Sequence, residues 1–312
     1  MRAVGIILAG GNSRKMRELT SKRAAAAMPI AGSYRAIDFT LSNMTNSHIQ
    51  KVAVLTQYNA RSLNEHLNSS KWWNFGRKQG GLYVFTPTIT NDNGYWYRGT
   101  ADAIYQNMDF LKKSHEPYVV IASGDAVYKM DYSKVLQYHI DKKADVTVVC
   151  KEMDPSDDVS RFGTIRMDDD MRITEFEEKP MVTKSNMIST GIYVIRRRLL
   201  IDLIEHAAEE ERFDFVNDVL IRYKNLKKIY GYKIDHYWSN IATVDAYYKT
   251  NMDFLKPEVR NYFFKQDPEI YSKVSDLPPA KYNPGASVKN SLVGSGSIIN
   301  GTVENSVLFK KV

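Results

Sequence analysis

Short apolar runs rich in β-branched residues recur along the chain, and between them lie stretches whose apolar positions return every third or fourth residue. The runs at 3–8, 51–56, 117–123, 145–150, 190–195 and 227–233 predict strands. Ala101 to Lys113 and Tyr132 to Lys142 predict amphipathic helices, and Arg196-Arg197-Arg198 before Leu199-Leu200-Ile201 predicts a helix start after a strand. Strands that are apolar throughout are covered on both faces, and crossover helices are what cover them. The pattern therefore predicts an α/β fold, a doubly wound and mostly parallel sheet spanning residues 1–255.

After about residue 255 the rhythm changes. Pro257, Pro268, Pro278, Pro279 and Pro284 punctuate a stretch with few periodic elements, so 256–285 is expected to be a linker. From Ala286 the text Ala-Ser-Val-Lys-Asn-Ser, Leu-Val-Gly-Ser-Gly-Ser, Ile-Ile-Asn-Gly-Thr-Val, Glu-Asn-Ser-Val-Leu-Phe repeats with a period near six. Short apolar steps with Gly, Ser and Asn at corners resemble a hexapeptide parallel β-helix, which needs about three or more repeats to bury a core. Residues 286–312 hold only its start, a truncated left-handed coil or one held by a neighbour. A Gly/Ser-rich terminal hairpin is the alternative.

Composition narrows the function more than the fold. The 312 residues suit one large domain with an appendage, or two domains. Hydrophobic residues are 43% and charged residues 25%, which argues against a disordered or fibrous chain. No apolar run approaches the ~18–20 residues of a membrane span. The start Met1-Arg2-Ala3-Val4 lacks the features of a signal peptide, so a cytoplasmic protein without membrane partners is expected. A net charge of +7 suits anionic ligands such as nucleotides or sugar phosphates. No basic tail or patch points to nucleic acid. Cys150 is the single cysteine, which excludes an internal disulfide and predicts a buried filler. The six histidines show no metal-ligand spacing. Trp72-Trp73 and the other aromatics fit core packing better than carbohydrate stacking.

The first strand runs into Ala9-Gly10-Gly11-Asn12-Ser13-Arg14-Lys15-Met16, where paired glycines let backbone N–H groups approach phosphates. Neither a Walker A loop nor Gly-x-Gly-x-x-Gly is present. Leu8-Ala9-Gly10-Gly11 followed by Leu19-Thr20-Ser21-Lys22-Arg23-Ala24 resembles the N-terminal signature of the bacterial glucose-1-phosphate adenylyltransferases. The resemblance continues in order through Tyr34-Arg35-Ala36-Ile37-Asp38-Phe39, Leu55-Thr56-Gln57-Tyr58-Asn59, Trp96-Tyr97-Arg98-Gly99-Thr100, Arg161-Phe162-Gly163, Phe176-Glu177-Glu178-Lys179-Pro180 and Gly191-Ile192-Tyr193-Val194. It implies a Rossmann-like nucleotidyltransferase fold that binds ATP and glucose 1-phosphate with Mg2+ and forms ADP-glucose and pyrophosphate. Such transfer rests on cations, backbone amides and metal that hold the developing charge.

The same resemblance implies roles for individual residues. Leu8, Gly10, Gly11, Gln57, Gly99 and Thr100 match nucleotide-side positions, and Glu178, Lys179, Gly191, Tyr193 and Asp218 match the sugar-phosphate side. Asp218 has a rival role as a helix cap. Lys15 and Asp125 are the candidate catalytic residues, and Asp125 with Asn240 the candidate metal pair. Against the family's text, Ser13 replaces a glycine, Lys15 an arginine, Ala25 a lysine, Asn240 an aspartate and Ala126 a histidine. Lysine lacks the bidentate fork of arginine, alanine carries no charge, and a hard cation prefers carboxylate over amide. This pattern is most similar to the D-type regulatory subunit of glycogen biosynthesis, which implies a catalytic partner subunit in a hetero-oligomer, as a tetramer. A slow but genuine adenylyltransferase and a scaffold that binds no ligand are the alternatives.

Overall fold

A computed structural model describes residues 2–76, 80–89 and 94–312. Its main sheet contains β1 (Ala3–Ala9), β2 (Lys51–Thr56), β3 (Gly81–Phe85), β4 (Tyr118–Ser123), β5 (Val146–Glu152), β6 (Gly163–Met167), β7 (Ile173–Glu178), β8 (Met187–Arg196) and β9 (Ile229–Ile234). The run β4-β1-β2-β3 is parallel throughout. Beyond β4 the long strand β8 runs antiparallel to β4, β5 and β6, and β9 pairs parallel to β5. The α/β sheet with a mostly parallel centre is therefore as expected, with six of its strands where the apolar runs lie.

Side-chain alternation explains why those runs are apolar without a break. Ile7, Val52, Val54 and Val120 pack on one face against Leu41, Met44, Tyr132 and Val135, while Ile6, Ala53, Val119 and Ile121 pack on the other against Ile104, Leu111, Leu200 and Ile204. Both faces are dry, so neither residue parity can be polar. Tyr132–Asp141 and Arg197–Glu209 are helices as the spacing predicts, the second directly after β8. The helix expected over Ala101–Lys113 is two, Thr100–Gln106 and Met108–Lys112, broken at Asn107. Asn107 spends its side-chain amide on the Tyr97 hydroxyl and the Ala103 carbonyl, a local alternative to the helical ladder.

Residues 256–285 carry more structure than a linker needs. Pro257–Phe264 is a helix, and Phe263 and Ile270 enter a third core with Phe39 and Phe254. Further on, Tyr271 exchanges hydrogen bonds with Ser42, and Ser272 donates to the buried Asp38 carboxylate at 2.6 Å. At the C-terminus short strands pair in parallel, Lys281–Tyr282 with Ile298–Ile299, Ser287–Lys289 with Thr302–Glu304, and Leu292–Val293 with Val307–Leu308. Ser287 faces Thr302 and Leu292 faces Val307, fifteen positions apart, whereas Lys281 faces Ile298, seventeen apart, so the spacing of the pairs is not a uniform multiple of six. Asn290 and Asn305 follow the paired strands Ser287–Lys289 and Thr302–Glu304 with positive φ and bond to each other at 2.8 Å. That tolerance of left-handed backbone explains the asparagines in the repeated text.

Candidate active site

The carboxyl ends of β1, β2 and β4 lie side by side, the position where open α/β sheets gather ligands. Gly10 and Gly11 follow β1, Gln57 follows β2, and Asp125 follows β4 one residue beyond Gly124, whose N–H is held by the Leu8 carbonyl. A cleft of about 520 Å³ opens over these ends. Leu8, Gly10, Gly11, Gln57, Gly99 and Thr100 line it, so the structure gathers the whole expected nucleotide side. Ala25 also lines it, with a buried methyl that brings no charge, as its side chain predicts.

The far wall is built from tight contacts. A Cβ on Gly99 would stand 2.3 Å from the Phe213 carbonyl oxygen, so only glycine fits there. Next to it Thr100 Oγ1 accepts from the Phe215 N–H at 2.9 Å. Gln57 has both ends of its amide on one residue, accepting from the Tyr97 N–H at 2.7 Å and donating to the Tyr97 carbonyl. Tyr58 stacks on Trp96 beside this pair. Gln57 thus ties the loop after β2 to the segment 95–98, and its polar atoms are engaged by protein.

The cleft continues into a second space of about 390 Å³ through Ser123, Asp125, Lys179, Gly191 and Tyr193. Glu178 and Lys179 enter here from the end of β7, paired at 2.9 Å. Gly191 and Tyr193 come from β8, whose register shifts between Ser189 and Tyr193. Gly191 has φ +75° at that irregularity, a conformation suited to glycine, and the bulge turns Ser189 and Thr190 toward the space. Expected sugar-phosphate residues Glu178, Lys179, Gly191 and Tyr193 are therefore together. Asp218 lines neither space. Its carboxylate accepts from the Phe213 and Asp214 N–H groups at 3.0 and 2.9 Å, bracing the turn that carries Phe215.

Asp125 and Asn240 face each other at the floor. Asn240 ends the strand Trp238–Asn240, which pairs antiparallel with Ala126–Tyr128 and so fixes the two side chains in register. The Asn240 amide donates to Asp125 Oδ1 at 3.0 Å, and Ser123 Oγ donates to the same oxygen at 2.5 Å. Asn240 Oδ1 accepts from the Ala242 N–H at 3.0 Å, which sets the orientation of the amide, because an N–H donor must meet oxygen. Burial pushes the Asp125 carboxyl above the usual carboxylate range, against the pull of the Ser123 and backbone hydrogen bonds, Arg161 and Asn240.

A divalent cation between these two positions would need oxygen lone pairs from both. Asn240 presents N–H instead, and among the described residues no three carboxylate, histidine or cysteine groups converge as metal ligands. The expected metal pair Asp125 and Asn240 does not fit a two-carboxylate Mg2+ site.

Sequence reasoning did not assign Arg161, which lines the second space together with Lys15. Burial holds its guanidinium below the ordinary arginine value, and the charges of Asp158, Asp125 and Asp157 oppose that shift. Its family text, Arg161-Phe162-Gly163, was the available signal. Only the fold brings it opposite Asp125.

Residues 4–257 match the nucleotidyl transferase family. Similar proteins named glucose-1-phosphate adenylyltransferase occur in Clostridium novyi, 40% identical over 99% of this chain and 81% of the relative, and in Thermosipho melanesiensis, 40% identical over 99% and 75%. Another, from Bacillus thuringiensis, is 41% identical over 100% of this chain and 83% of the relative.

Proposed function

Because the chain belongs to the glucose-1-phosphate adenylyltransferase family, we propose that it is a regulatory subunit of that enzyme, weakly active or inactive by itself, which pairs with a catalytic subunit in a hetero-oligomer. In the family's reaction a sugar-phosphate oxygen forms a bond to the α-phosphorus of ATP while the α–β bridging bond breaks and pyrophosphate leaves. The protein's share is to hold developing negative charge, and removing one such group typically costs about 10²–10³ in rate. The observation that carries the proposal is the Asn240 amide seated on Asp125. The amide engages that oxygen with a neutral hydrogen bond and supplies no positive charge for the phosphates, and Ala25 adds none nearby.

The sugar-phosphate side, with Glu178, Lys179, Gly191 and Tyr193, is the part best equipped to keep a ligand. Regulation then works by changing the partner's conformational populations across an interface. We take residues 1–255 as the nucleotidyltransferase-like domain and 286–312 as the start of a β-helix, with 256–285 between them. A second reading, a slow but genuine adenylyltransferase, is favoured by the cations Lys15 and Arg161 in the cleft.

Pyrophosphate release from ATP and glucose 1-phosphate separates the two, measured on the purified chain and again after mixing with a catalytic homologue from the same source. Silence alone with an altered maximal rate or effector response in the mixture supports the regulatory subunit. Brisk turnover by the chain alone overturns it.

A further inference from the structure

We propose that this cleft binds the phosphate of its ligand without a divalent cation, on the side chains of Arg161, Lys15 and Lys179. This rests on the reading that the cleft receives a sugar phosphate, and it adds what neutralises that phosphate here. The first support is the hydrogen bonding at the floor: Asp125 Oδ1 accepts from both Ser123 and Asn240, and the Asn240 oxygen accepts from Ala242. A cation entering there must break an amide–carboxylate bond and meet N–H dipoles with their positive ends toward it.

The second support is a supply of unspent positive charge. Arg161 lies over the Phe162 ring, 4.6 Å from its centroid, and makes one long hydrogen bond, 3.4 Å to Thr243 Oγ1. A guanidinium carries five N–H donors in a planar fork that matches phosphate, so Arg161 retains most of them. Asp125, Asp157 and Asp158 act on it through space, and among the described residues no carboxylate comes within ion-pair distance of it or of Lys15. Lys15 faces the same space from the loop after β1, and Lys179 enters from the end of β7 with Glu178 as its partner.

The test is titration calorimetry of the full chain with glucose 1-phosphate, once in excess EDTA and once in millimolar magnesium. The expected dissociation constants agree within about twofold. Arg161→Gln should weaken binding about 10- to 100-fold in both buffers, as loss of a charged hydrogen-bonding group does, and Arg161→Lys should restore part of it. A merely structural Arg161 would leave affinity unchanged in the variant that folds, which circular dichroism verifies. Binding in magnesium that vanishes in EDTA overturns this inference and leaves the proposed function standing. Absence of binding in both buffers, with the chain folded, overturns ligand binding itself and this inference with it.

Discussion

Replacing Asn240 by aspartate converts the floor of the cleft from a donor–acceptor pair into two facing carboxylates. The Asn240 nitrogen lies 3.0 Å from Asp125 Oδ1, and Asp125 is half-buried at the floor of the cleft. Two unit charges at about 3–4 Å and an effective dielectric of about 20 repel by roughly 4–6 kcal/mol. The pair escapes part of that by sharing a proton, the more readily because burial already holds the Asp125 carboxyl above its usual range. We therefore expect Asn240→Asp to lose about 2–4 kcal/mol of stability in EDTA at pH 8, the repulsion less what proton uptake recovers.

The sign follows from linkage. Carboxyls titrating higher in the folded than in the unfolded state bind extra protons when folded, so their contribution is full at low pH and is lost as pH rises through the folded value. The variant's deficit should shrink toward pH 5 and grow toward pH 8. Magnesium at about 100 times its dissociation constant would restore about 2.7 kcal/mol to the variant and nothing to the parent chain. Urea unfolding at three pH values, with EDTA or magnesium, measures all of this. A variant as stable as the parent at pH 8 in EDTA, or one indifferent to magnesium, would refute the reasoning from the Asn240–Asp125 contact.

Three further outcomes follow from local geometry. Gly99→Ala places a methyl 2.3 Å from the Phe213 carbonyl and should cost about 1–3 kcal/mol in urea unfolding, with a displaced segment 213–216. Cys150 is fully buried and burial raises its thiol to about 12, so a thiol reagent at pH 8 should label it only in denaturant. His139 bonds to Thr147 at 2.8 Å with its other ring nitrogen buried and unpartnered, and burial lowers it to about 4. Its folded value is depressed, so its contribution is present at pH 7 and fades as pH falls: it should make the chain about 2 kcal/mol less stable at pH 5 than at pH 7, a loss absent from His139→Gln.

How much of this was legible beforehand depends on what each residue answers to. The runs behind β1, β2, β4, β5, β8 and β9 are apolar because both sheet faces are covered, and that constraint shows in one sequence. β3, β6 and β7 are absent from the predicted strands; exposed Arg166 and Thr174 interrupt the apolar character of β6 and β7, and exposed Tyr83 lies within β3. The break at Asn107 depends on the Tyr97 hydroxyl ten residues away, and no helical period records it. The candidate site was legible in its strand-end loops. Asp218 faces backbone amides and not the cleft, and Gln57 is spent on Tyr97; both are set by tertiary contacts. Arg161 becomes relevant only when the sheet returns it to Asp125.

On the proposed regulatory reading, missing charge and not a missing cleft limits turnover by this chain. The most direct measurement is pyrophosphate release by the parent chain and by Ala25→Lys/Asn240→Asp, side by side, with ATP, glucose 1-phosphate and excess magnesium and with folding verified. The account expects little release from the parent and a gain of about 10² or more in the double variant, since each restored group is worth about 10²–10³ and such gains do not simply multiply. A parent chain that already turns over briskly, or a folded double variant that stays silent, would contradict it.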